Sequence, residues 1–83
     1  MNIFDQIKEK IKEKINPENL VLIDNSRLHT KHKSFDPNKF HIKLIIKSEK
    51  LKNMGRIQSN KLIFKILDNE MKKYIHSLQI FFL

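Results

Sequence analysis

Apolar side chains along this chain alternate between two spacings. In residues 2–15, Phe4, Ile7, Ile11 and Ile15 recur at intervals of three and four with Ile3 beside them. Charged Lys8, Glu9, Lys10, Lys12, Glu13 and Lys14 fill the gaps. This period predicts an amphipathic helix whose charged side is solvated rather than laid on a membrane, because acids and bases are interleaved. Pro17 disfavours α conformation at Asn16 and predicts the stop there. The spacing then changes. NLVLID (19–24) is short, apolar and β-branched, and predicts a strand. FHIKLIIK (40–47) predicts another, with Ile42, Leu44 and Ile46 on one face and His41, Lys43, Ile45 and Lys47 on the other. Met54, Gly55 and Arg56 mark a connection. Leu62/Ile66 and Ile63/Leu67/Met71 restore the helical period and predict a second helix from about Asn60 to Lys73. Ser59 is its expected N-cap, and Lys72 and Lys73 suit its negative end. YIHSLQIFF (74–82) predicts the last strand. There His76, Leu78, Ile80 and Phe82 share one face and Ile75 and Phe81 the other. Apolar residues on both faces imply a central or well-covered strand.

The order helix–strand–strand–helix–strand predicts an α+β domain spanning 1–83, with two helices over one face of a three-stranded mixed sheet. Strands one and two, joined without a helix, should be antiparallel. Strands two and three, joined across a helix, should be parallel. The polar stretch from Ser26 to Lys39 is long for so small a domain, and long loops are more often functional than idle. No internal repeat is present.

Composition narrows the function. A chain of 83 residues buries only about 60% of its unfolded surface, which leaves room for one thin core and no deep interdomain cleft. There is no cysteine, hence no disulfide, thiolate ligand or thiol nucleophile. A single glycine excludes Gly-rich phosphate loops and dinucleotide fingerprints. The charge of +8 invites a nucleic-acid reading. However, 15 of the 17 basic residues are Lys, and Lys, Ile and Asn together make 36 of the 83 residues. All three use A/T-rich codons, so coding bias accounts for much of the charge. The paired bonds to guanine and phosphate that Arg supplies are scarce. No segment has the length and apolarity of a membrane span or a secretory signal, and the expectation is a soluble cytoplasmic protein.

Candidate chemistry rests with the four histidines. Ser26 and His29 lack the orienting group and oxyanion site of a serine nucleophile, and Ser26 reads more simply as a turn cap. His29 and His32 lie three apart in the long loop, His41 opens the second strand and His76 the third. Imidazole ligates zinc, iron, copper or nickel. A structural zinc site, usually rich in thiolates, would require the fold to gather these histidines. On pattern alone His32 and His41 read as solvated. His76 reads either as a histidine packed among apolar neighbours and bonded to a backbone carbonyl, or as a ligand.

Three segments, DNSRLHTKH (24–32), HIKLIIKSEKL (41–51) and YIHSLQI (74–80), resemble the BolA family in order and spacing, over roughly residues 3–80. Ser26, His29 and His32 fit its Ser-x-x-His and following His. His41, Ile42, Lys43 and Leu44, then Ser48 and Leu51, fit its His-Phe-Lys-Val strand and Ser-x-x-Phe. Ile75, His76, Ser77 and Leu78 fit its hydrophobic-His-Ala-Leu strand, with Ser for Ala. The resemblance implies an αββαβ fold of the KH-like type II arrangement. It also implies a non-enzymatic adaptor that binds a monothiol glutaredoxin around a glutathione-ligated [2Fe–2S] cluster, with no cofactor in the isolated chain. His76 and a loop histidine, His29 or His32 in its place, would be the ligands lent to that cluster. Imidazoles replace two cysteines in Rieske centres and raise the potential, so a cysteine-free chain is chemically suited to such sharing. The alternative implied is a DNA-binding transcriptional regulator. Against that, Ser59, Asn60 and Lys61 stand where the family usually has a basic Arg-His-Arg triplet, and no Gly-x-x-Gly loop for RNA is present. The sequence ends at Leu83 without the family's usual C-terminal helix. The apolar Phe81, Phe82 and Leu83 are therefore expected to be exposed or to pack against a partner.

Overall fold

The fold is seen in a computed structural model that describes residues 2–26 and 39–83. The first helix, α1 (Ile3–Lys14), begins where the Asn2 side chain accepts a hydrogen bond from the Asp5 amide at 2.9 Å. It ends through Asn16, which takes a left-handed φ of 51° and donates its amide to the Lys12 carbonyl at 3.0 Å. Asn tolerates that conformation better than most side chains, and Pro17 then prevents continuation. The strands β1 (Asn19–Asp24), β2 (Phe40–Lys47) and β3 (Ile75–Phe82) form one sheet in the order β1-β2-β3. β1 pairs antiparallel with β2 and β2 parallel with β3, as expected.

The helical connection differs from its sequence pattern. It comprises α2 (Glu49–Met54), α3 (Arg56–Ile66) and α4 (Asp68–Lys73). The Ser48 side chain caps α2 by accepting from the Leu51 amide at 3.2 Å. Gly55, at φ 86° and ψ 163°, turns the chain between α2 and α3 in a conformation open essentially to glycine alone. Helix therefore starts at Arg56, four residues before Asn60, and is interrupted at Leu67. Ser59 is not the N-cap. It lies inside α3, fully buried, and its hydroxyl donates to the Leu51 carbonyl at 2.8 Å, joining α3 to α2. A serine three residues before an apolar period looks the same in sequence whether it caps a helix or ties two together.

The helices cover one face of the sheet. Ile7 and Ile11 from α1 with Ile15 at its end, Ile42, Leu44 and Ile46 from β2, Leu51, Ile63, Leu67 and Ile75 make the core. Opposite it, Val21, Ile23 and Phe81 are exposed, and the Lys43 ammonium sits 4.4 Å from the Phe81 ring centre. At the chain's end Phe82 packs against the core while Leu83 is exposed. The charged side of α1 is not uniformly solvated. Glu70 of α4 is completely buried, and its carboxylate accepts from Gln6 Nε2 at 2.6 Å and Lys10 Nζ at 3.0 Å. Among the described residues no helix is long and apolar enough to cross a membrane.

Candidate functional site

Regular parallel pairing would place successive residues of β2 and β3 opposite one another. Instead Phe40 pairs with Ile75 and His41 with Ser77, so β3 advances two residues where β2 advances one. The extra residue is His76. An inserted residue of this kind drops out of the ladder and reverses the side-chain alternation that follows. The phase expected for β3 is therefore corrected. Ile75 is buried in the core and Leu78, Ile80 and Phe82 pack on the same side, while His76 is exposed rather than sharing their face. Ile75 is held by core packing, and the Phe40 amide donates to the Tyr74 carbonyl at 2.8 Å just before it. With Ser77 paired to His41 just after it, the bulge is fixed on both sides.

Beside His76 the sheet end is tied by polar groups. His41 is buried, not solvated, at 5% exposure. Its amide donates to Ser26 Oγ at 3.1 Å, and its carbonyl accepts from the Asn25 amide at 2.7 Å. The Ser26 amide in turn donates to Asp24 Oδ1 at 2.9 Å, so Asp24 caps the turn and Ser26 links β1 to β2. His41 Nδ1 and Ser77 Oγ share a hydrogen bond of 2.8 Å, which matches their cross-strand register. The His41 and His76 rings lie 4.8 Å apart between centroids, tilted by 42°. The structure therefore brings together His76, a sequence candidate, with His41 and Ser77. His29 and His32 lie outside the described residues. The chain leaves the described part after Ser26 and re-enters it at Lys39, both next to this cluster. The role of His41 was hidden in the sequence because a histidine at the head of a half-polar strand looks solvated. Only the pairing to β3 sets a second imidazole and a hydroxyl against it.

Chemically, the site presents one exposed imidazole, backed by a buried imidazole and a hydroxyl. Among the described residues no group of three or more His, Cys, Asp and Glu side chains could enclose a metal. The described donors, one exposed imidazole with a buried one beside it, do not by themselves enclose a metal.

Residues 11–83 match the family model described as BolA-like protein. The chain belongs to the BolA family. A BolA-like protein of Dictyostelium discoideum is 34% identical over 79 residues, covering 94% of this chain and 67% of that protein. The DNA-binding transcriptional regulator BolA of Haemophilus influenzae is 29% identical over 80 residues, covering 96% of this chain and 75% of the relative. Among solved structures, BolA1 from Arabidopsis thaliana superposes with a TM-score of 0.84 at 24% identity, covering 99% of this chain and 90% of that one. The BolA domain of SufE1 from the same plant gives 0.82 at 26% identity, covering 99% and 92%. The BolA fold thus accounts for the sheet order and the helical layer.

Proposed function

We propose that this BolA-like protein is a non-enzymatic adaptor that binds a monothiol glutaredoxin and lends imidazoles to a [2Fe–2S] cluster held by that partner and its glutathione. The cluster is cargo shared with the partner, and this chain contributes nitrogen donors only. The observation that carries the reading is His76: an exposed imidazole fixed at a bulge, with no thiolate in the chain and no enclosing acid cluster among the described residues. Ser26, which precedes the segment bearing His29 and His32, is bonded to the His41 amide beside it, and either histidine is the candidate for the second ligand. Imidazole in place of thiolate on one iron raises the potential of a cluster and makes it sensitive to the geometry of the donor.

The test is visible circular dichroism of holo-glutaredoxin as this protein is added. Wild type should change the cluster bands, and His76→Ala should abolish most of that change. An unchanged spectrum with wild type, or the same spectrum with His76→Ala, overturns the reading.

A second reading is supported by the name of the Haemophilus relative and by the net charge of +8: a DNA-binding regulator. It predicts preference for particular DNA sequences that survives at physiological salt. Binding without sequence preference that disappears steeply with salt would reduce it to generic polycation behaviour.

A further inference from the structure

The His76 bulge leaves that residue outside the strand ladder, so its ring orientation depends on what its side chain touches. The neighbour is His41, and His41 is held at three points. Its amide is bonded to Ser26, its carbonyl to Asn25, and its ring to Ser77 on the adjacent strand. The first two fix its backbone and the third its ring, so the buried imidazole cannot turn without breaking the bond to Ser77, and an unmade hydrogen bond in a buried site is costly. The exposed ring of His76 leans against this fixed plate at 4.8 Å. Ser77 follows His76 directly, so one strand carries both the presented imidazole and the hydroxyl that anchors its support.

The geometry points to Ser77 and His41 as a positioning pair that sets the ring of His76. Neither donates to the cluster. Ser77 locks His41, and His41 restricts His76 to the orientation in which it is presented. A ligand fixed before binding loses less conformational freedom on binding than one that must be ordered then. The consequence for cluster binding rests on the adaptor reading above, whereas the ring geometry itself does not.

Ser77→Ala removes the hydroxyl and leaves the strand and His76 intact. Ser77→Thr restores it on a residue well suited to strands. His41→Phe keeps a ring but removes the nitrogen that bonds Ser77. In the isolated protein, ring-to-ring NOEs between His41 and His76 should be present in wild type and Ser77→Thr and lost in Ser77→Ala. In titration of holo-glutaredoxin, Ser77→Ala and His41→Phe should need about two- to tenfold more protein for half the spectral change, the worth of one hydrogen bond, with Ser77→Thr close to wild type. NOEs that persist in Ser77→Ala overturn the pair. NOEs lost with an unchanged titration midpoint overturn its positioning role. If wild type leaves the cluster spectrum unchanged while the NOEs behave as expected, the pair stands as the device that orients His76 and the glutaredoxin reading falls.

Discussion

The ion pair of Glu70 gives a sharp test of how this small core tolerates charge. Its carboxylate is fully buried, and Lys10 and Gln6 bind it from α1 across to α4. Burial by itself would push the carboxyl up. The hydrogen bonds from Lys10, the Glu70 backbone and Gln6, with the Lys10 charge, outweigh that and hold it below the ordinary carboxylate range. The two partners are not equivalent, because the Lys10 side chain is 36% exposed and Glu70 is 0% exposed. Freed of its partner, Lys10 can turn to water, but Glu70 cannot. Lys10→Met keeps the aliphatic stem and strands an ionised carboxylate with Gln6 as its remaining side-chain donor. Stripping one partner from a fully buried pair costs about 3–5 kcal/mol. The retained Gln6 bond and the part-exposed rim bring this to about 2–3 kcal/mol. Glu70→Gln, which leaves no buried charge behind because Lys10 can reach water, should cost about 1 kcal/mol, near the net value of an ordinary hydrogen bond.

Urea unfolding followed by far-ultraviolet circular dichroism reads both. With a slope near 1 kcal/mol/M for a small domain, Lys10→Met should lower the midpoint by about 2–3 M and Glu70→Gln by about 1 M at pH 7. Acidity separates the mechanisms further. In wild type the folded carboxyl titrates below the unfolded one. The stability it contributes is full above the unfolded carboxylate range and is lost as pH falls through the folded value. Lys10→Met removes both lowering effects of Lys10 and keeps the burial that pushes the carboxyl up, so the folded carboxyl titrates higher than in wild type. The deficit is then greatest near neutrality and shrinks as the buried group takes up a proton. A Lys10→Met deficit that is no larger than that of Glu70→Gln, or that stays constant between pH 7 and pH 3, refutes the reasoning.

Two further outcomes are expected from the packing. Leu44→Ala empties a fully buried position at the centre of the sheet and should cost about 2–5 kcal/mol in the same urea assay, with the far-ultraviolet spectrum of the folded state retained. Gly55→Ala meets no atom within 4 Å, so the cost comes from backbone conformation alone. It should be about 1–3 kcal/mol for a side chain forced to φ 86°, and a melting temperature equal to wild type would show that the turn between α2 and α3 relaxes freely.

Local chemistry wrote much of this protein into its sequence. The period of Ile7, Ile11 and Ile15 set the buried side of α1, and the alternation of Ile42, Leu44 and Ile46 set the buried side of β2, because each follows from the repeat of its own backbone. Helix placement between the second and third strands was enough to foretell which pairs run parallel. His76 was legible as a candidate from its motif. What surrounds it was not. The insertion of His76 between the Ile75 and Ser77 pairs reverses the phase of β3, and nothing in YIHSLQIFF distinguishes that from unbroken alternation. His41 was misread for the same reason: its burial and its bond to Ser77 depend on a strand 36 residues away. Lys10 looked like part of a solvated face until α4 brought Glu70 beneath it, 60 residues along. A short-range pattern records how each segment meets a generic apolar interior. Which polar group faces which is decided by register and docking between segments, and only the folded chain holds that information.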